Sequence, residues 1–193
     1  MSSEQKPTDA KTQLPAPVLS SKSIYQGKVI NLRVDTILLP AGRTTVREVV
    51  EHSGAVVIAA LDRDDHLYFV RQYRHPVGKV LLELPAGGLE PGEDPLSTAK
   101  RELKEEVGLR AERWVHLGSF YSSPGFTTEI LHAFLAQSLE SVPVNPDEDE
   151  DIDIVRYPLS EALRSSLAFE DAKTLATLFL LAQSPYTDLS KLK

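Results

Sequence analysis

Three glutamates, Glu102, Glu105 and Glu106, stand at i, i+3 and i+4 in the stretch from Gly87 to Leu109, GGLEPGEDPLSTAKRELKEEVGL. On a helix that spacing puts all three carboxylates on one side of a single turn. Like charges so placed repel by roughly 0.2–0.5 kcal/mol per pair. Carboxylates at a helix C-terminus also oppose the macrodipole, by about 0.3–1 kcal/mol each. Lys104 lies too far around the helix to neutralise them all. A divalent cation would reverse the sign of this cost, because hard cations take oxygen ligands and bridge carboxylates to substrate phosphates. A solvated acidic face is the other reading, and helix physics alone leaves both open.

The elements that must position these carboxylates are written beside them. Pro91-Gly92 closes a turn, and Pro95 suits the first helical turn, where its missing N–H is not needed. Leu96, Ala99, Leu103 and Val107 recur at helical spacing and predict a core-facing stripe. Gly108 follows as a C-terminal cap. Upstream, Val80 to Pro85 reads as an apolar strand that delivers the chain to Ala86-Gly87-Gly88, where glycines let a backbone approach a ligand closely.

Gly87, five residues, Glu93, seven residues and then Arg101-Glu102-Leu103-Lys104-Glu105-Glu106-Val107-Gly108-Leu109 resemble the complete signature of the Nudix hydrolase superfamily. The resemblance implies an α/β fold, a mixed β-sheet sandwiched between helices. It also implies a loop-helix-loop that holds Mg²⁺ or Mn²⁺ and cleaves a diphosphate attached to another moiety. Glu102 and Glu106 are then the principal metal ligands, with the Ala86 carbonyl, and Glu105 binds or orients a further ion. Arg101 pairs with Glu93 and fixes the loop against the helix. Gly88 departs from the bulkier residue often found at its place. Ser123-Pro124-Gly125, about fifteen residues past the signature and followed by Glu129, looks like the marker of the ADP-ribose pyrophosphatase subfamily. GDP-mannose hydrolases carry related sequences and stay open as an alternative, as does a non-catalytic, ligand-sensing domain. By the same resemblance, Arg74 of the RQYR segment contacts a substrate phosphate, Arg47 contacts the nucleotide, and Tyr25 lines an adenine wall. Glu129 helps hold the substrate or its loop. In the acidic run from Asp147 to Asp153, Glu148 is the expected general base and Glu150 a further metal ligand. A structural reading stays beside several of these: Tyr25 and Arg47 serve equally as ordinary strand residues, and Pro124-Gly125 as a type II turn.

The rest of the chain supplies a frame. Its 193 residues are 41% hydrophobic and 25% charged, enough for one globular core. The net charge of -7 argues against nucleic acid or a membrane surface as partner, so an anionic substrate must be met by metal or placed arginines. With no cysteine there is neither a disulfide nor a zinc–thiolate site. No transmembrane run or signal-peptide core is visible, which makes the cytoplasm the default. Residues 1–22 are expected to form a disordered tail. Residues 23–52 read as an N-terminal antiparallel β extension that, by resemblance, dimerises, and 53–193 as the Nudix domain. Gln137 to Pro146 is expected as a linker. Leu159 to Leu163 opens a short helix with Ser160 as possible cap. Glu170 to Gln183 reads as a helix whose content, including Phe179, is core.

Overall fold

Apolar residues alternating along strands decide which faces are buried. A computed structural model describes residues 15–143, 152–165 and 169–186. The chain divides into two units, residues 1–51 and 52–193.

In the first unit, β1 (Val18–Gln26), β2 (Asn31–Leu38) and β3 (Thr44–Glu51) form an antiparallel sheet in the order β1-β2-β3. The expected tail through residue 22 therefore gives way at Val18, because Val18 to Lys22 pair with Ile37 to Val34 of β2. These residues are exposed, and Ser20, Ser21 and Lys22 are polar, so their own composition does not announce the strand; the ladder to β2 supplies it. Arg33 Nε donates to Asp35 at 3.0 Å across the same strand, which satisfies an otherwise buried carboxylate.

The second unit holds β4 (Ala55–Ala60), β5 (His66–Arg74), β6 (Lys79–Glu83), β7 (Ala86–Gly88), α1 (Pro95–Val107), β8 (Leu109–Tyr121), β9 (Ile130–Ser141), β10 (Ile152–Pro158), α2 (Leu159–Arg164) and α3 (Ala172–Gln183). A mixed sheet runs β7-β4-β9-β8, with β4 parallel to β9 and the other pairs antiparallel. An antiparallel sheet runs β10-β5-β6. Every residue of β4 is buried, as a strand covered on both faces must be. Val56, Ile58 and Ala60 meet Ala99, Leu103 and Val107 of α1 on one face. Val57 and Ala59 meet Leu178 and Leu181 of α3 on the other. The mixed sheet is thus sandwiched between helices. Burying a leucine such as Leu103 contributes roughly 1.5–3 kcal/mol, which outweighs the like-charge cost carried by the glutamates on the far side of α1.

Several boundaries differ from the sequence reading. β9 continues through Ser141 rather than yielding to a linker at Gln137, because β8 begins at Leu109 and pairs with it from Leu109↔Ser141 onward. Ser160 does not cap α2, whose flanking residue is Pro158. Phe179 is 65% exposed rather than core. The inward stripe of α3 is Thr174, Thr177, Leu178 and Leu181, and its two threonines hide it from a hydropathy reading. Among the described residues no helix is long and apolar enough to cross a membrane.

Candidate active site

The acidic helix is fixed at both ends by its own sequence. The Asp94 carboxylate accepts from the backbone N–H groups of Leu96 (3.0 Å) and Ser97 (3.2 Å), and Pro95 fills the first position. Gly108, at φ 65°, turns the chain out of the helix and donates its N–H to Leu103 and Lys104 carbonyls. Between these caps, one face is apolar and buried, and the other presents the glutamates to β7.

Glu102 lies directly against Gly87. A Cβ built on Gly87 would fall 1.9 Å from Glu102 Cδ and 2.0 Å from its Oε1, so only glycine leaves room for that carboxylate. Glu106 is 4% exposed, and its Oε2 accepts the Ala86 backbone N–H at 3.0 Å. Arg101 stands amid the acids. Its Nε and Nη2 grip Glu93 at 3.2 and 3.1 Å, and its Nη1 reaches Glu102 at 2.7 Å and Glu105 at 3.0 Å. Nη2 also donates to the Gly88 carbonyl at 3.2 Å, tying the helix to β7. The hydrogen bond from Arg101 holds the Glu93 carboxyl below its ordinary value, and Glu93 first, with Glu102 and Glu105, raises the guanidinium above its own. The pairing of Arg101 with Glu93 is what the sequence leads one to expect; its hold on Glu102 and Glu105 is not.

These residues fit a hard divalent ion. The donors are all oxygens, Gly87 cedes its side-chain space to Glu102, and an Ala86 N–H orients Glu106. Among the described residues no three acidic or imidazole groups already converge as a ligand set. The Arg101 guanidinium stands as the counter-charge of Glu102 and Glu105.

Beside this helix lies an ionic cluster that the sequence reading missed. Arg74 forks onto Glu83 through Nε (2.9 Å) and Nη2 (2.8 Å). Glu83 is 1% exposed and also pairs with Lys173, which bonds Asp171 at 2.9 Å. Asp171 caps α3 by accepting the Thr174 N–H, and the Thr174 hydroxyl accepts the Leu84 N–H at 2.9 Å. A glutamate inside the apolar run VLLELP was the available signal, since a charge delivered to a core needs partners. Glu83 first, and then Glu106 and Asp171, raise the Arg74 guanidinium above its ordinary value. Burial pushes the Glu83 carboxyl up, but Arg74 and Lys173 more than offset this and hold it below its ordinary value. A depressed carboxyl contributes stability above its unfolded pKa, about 4.3 for glutamate. That contribution disappears as pH falls through the lower folded value. Thermal melts across acidic pH are therefore expected to fall more steeply for the native protein than for Glu83→Gln, and parallel curves would refute this.

The loop 122–129 is clipped in place at its far end. Thr128 Oγ1 accepts the His52 N–H at 3.0 Å and donates to the His52 carbonyl at 3.2 Å. His52 Nδ1 accepts the Gly54 N–H at 3.0 Å and lies 3.8 Å from Glu129, so Glu129 faces His52. Around Pro124-Gly125 the N–H groups of Phe126 and Thr127 both return to the Ser123 carbonyl. Gly125 is not at positive φ, so the expected type II turn is replaced by a helical one. Tyr25 and Arg47 belong to the first unit, on β1 and β3; Tyr25 is exposed, and Arg47 Nη1 donates to the Val46 carbonyl at 3.0 Å. Glu148 and Glu150 lie outside the described residues. Also unforeseen is a polar trio on the β8–β9 pair, where Ser119 Oγ stands 2.9 Å from His116 Nε2 and 2.8 Å from His132 Nδ1. The bulge between His116 and Gly118 makes this possible by re-aiming His116.

An acid-lined helix against a glycine strand suits a protein that holds a divalent cation for work on an anionic substrate. The NUDIX domain model matches residues 50–178, and the chain belongs to the Nudix family, whose members generally use divalent metals. The model of the nucleoside diphosphate sugar hydrolase N-terminal domain matches residues 17–50, which covers β1, β2 and all of β3 but Glu51. The chain is 43% identical to a methanol dehydrogenase activator of Bacillus methanolicus over 76% of this chain and 80% of that protein. It is 41% identical to an ADP-ribose pyrophosphatase of Bacillus subtilis, over 81% of this chain and 86% of that one. A crystal structure of an ADP compounds hydrolase superposes with a TM-score of 0.78 at 26% identity, covering 90% of this chain and 96% of that one.

Proposed function

We propose that the protein hydrolyses the diphosphate of ADP-ribose to AMP and ribose 5-phosphate, with Mg²⁺ as the preferred ion and Mn²⁺ as substitute. The observation that carries this reading is the set of Glu102 and Glu105, held by Arg101 beside Gly87, and Glu106, held by the Ala86 N–H. The substrate is supported by the names of the similar proteins, ADP-ribose pyrophosphatase and ADP compounds hydrolase.

Ala86, through its carbonyl, with Glu102, Glu106, Glu105 and Glu150 would hold the metal. A bound divalent ion neutralises diphosphate charge and lowers the pKa of water. The chain's own residues do the rest. Glu148 takes the proton of the attacking water, and Glu105 binds or orients a further ion. Arg101 and Glu93 keep the carboxylates oriented. Arg74 and Arg47 bind phosphate and nucleotide, where a planar guanidinium fork suits phosphate oxygens. Tyr25 lines the base, and Glu129 holds the loop or the sugar.

The protein acts as a cytoplasmic homodimer and binds no nucleic acid. Its dimer is supported by the apolar side chains exposed on and beside the first sheet, among them Val18, Leu19, Ile24, Val29 and Val46. The test is a panel of nucleoside diphosphate compounds, ADP-ribose and GDP-mannose included, in Mg²⁺, Mn²⁺ and EDTA. Mg²⁺-dependent preference for ADP-ribose is the expected result. Preference for GDP-mannose would overturn the substrate, and no turnover of any compound would overturn the enzymatic reading in favour of ligand sensing.

A further inference from the structure

Arg74 has two competing claims on it. Its fork is spent on Glu83, with Nε and Nη2 on the two carboxylate oxygens. The same guanidinium is the natural cation for a substrate phosphate beside Glu106. Glu83 is 1% exposed and cannot be left without a cation, because an unpaired buried carboxylate is strongly disfavoured. A lone Glu83–Arg74 pair would therefore resist every approach of Arg74 to a ligand.

The structure supplies the second cation from the far end of the chain. Lys173, in the first turn of α3, pairs with the same oxygen, Oε2, that accepts from Arg74 Nη2. Asp171 fixes the ammonium at 2.9 Å, and Asp171 is itself held by the Thr174 N–H at 2.9 Å and hydroxyl at 2.6 Å. Thr174 in turn accepts the Leu84 N–H, which locks the start of α3 to the end of β6. Two anions, Glu83 and Asp171, and two cations, Arg74 and Lys173, make a neutral cluster. Lys173 is only 18% exposed in its side chain, whereas Arg74 is 37% exposed and can turn outward.

We propose that Lys173 is a positioning residue for substrate binding: it holds the Glu83 charge so that Arg74 can leave Glu83 for the phosphate of a nucleoside diphosphate. This rests on reading Arg74 as a phosphate contact. Without Lys173 the cluster carries a net negative charge beside an anionic substrate, and Glu83 keeps Arg74 for itself. With it, Arg74 passes from carboxylate to phosphate while the buried acid stays paired. The arrangement costs the cluster one hydrogen-bonded fork on binding and gains a charge-assisted one to the ligand.

The experiment measures kcat and KM for ADP-ribose in saturating Mg²⁺ on native protein, Lys173→Met and Lys173→Arg, with a thermal melt of each. Native turnover is read first, since its absence overturns the functional reading itself and not the role of Lys173. Given native turnover, Lys173→Met is expected to raise KM about tenfold or more, the ratio one charge-assisted hydrogen bond commands, with kcat within a small factor. Lys173→Arg is expected to restore KM, because the cation returns. An unchanged KM in a folded Lys173→Met protein, or a lowered kcat at native KM, overturns the proposal, the latter being the signature of a merely structural lysine. If Lys173→Met does not fold, Lys173→Gln carries the same expectation and the same reversal, because it keeps an N–H donor on Glu83 without the charge.

Discussion

Glu106→Gln is expected to cut kcat by about 10³-fold or more while the protein stays folded, several kcal/mol being what charge stabilisation at a metal-assisted centre contributes. The substitution isolates charge from shape. Glutamine keeps the volume and keeps an oxygen to accept the Ala86 N–H, now 3.0 Å from Glu106 Oε2. Its amide also removes one anion from a crowded turn, which relieves repulsion among Glu102, Glu105 and residue 106. Against this, Arg74 loses part of its electrostatic surroundings. The net change in melting temperature is therefore expected to be small, and the loss of turnover is not a loss of fold. Measuring kcat in Mg²⁺ beside a melt decides it. A folded Glu106→Gln protein with near-native turnover would remove the acidic helix from the chemistry.

Gly87→Ala is expected to lower turnover about 10²-fold, the order of loss that a displacement near 1 Å brings at a reacting centre. The added methyl would sit 1.9 Å from Glu102 Cδ, so the carboxylate must swing away. Stability is expected to change little. Gly87 is not in the left-handed region, so alanine adopts its backbone without strain, but the carboxylate that must move is the one bonded to Arg101 at 2.7 Å. Replacing glycine by alanine stabilises by about 0.4–1 kcal/mol through the unfolded chain, which offsets the loss of that surface-facing pair. The expected signature is a melting temperature close to native, weaker affinity for Mg²⁺ by calorimetry, and poor turnover. Native metal affinity in Gly87→Ala would show that the Glu102 carboxylate does not need the space where it now lies.

Both predictions rest on a site whose helix was legible before any coordinates. Pro95 starts it, Gly108 ends it, and Leu103 and Val107 choose its buried face, all through contacts within a few residues, and the structure adds Asp94 as the cap. The shared face of Glu102, Glu105 and Glu106 follows from helical geometry, and the resemblance of the whole stretch from Gly87 to Leu109 pointed to the family. The early start of β1 and the outer ends of the β8–β9 pair, Leu109 to Arg113 and Gln137 to Ser141, were not legible, because those stretches are mostly polar and become strand only by laddering with a partner. Phe179 was misplaced because threonines, not only leucines, make the inward stripe of α3.

What the sequence by itself determined is the acidic helix, since caps and periodicity act locally, and the resemblance of its signature pointed to the hydrolase family. What only the tertiary structure decided is who shares charge with whom. Arg101 divides itself among Glu93, Glu102 and Glu105, and Glu83 draws Lys173 from 90 residues away. A buried charge takes whichever cation the packed fold brings within reach, and spacing along the chain carries no record of that choice.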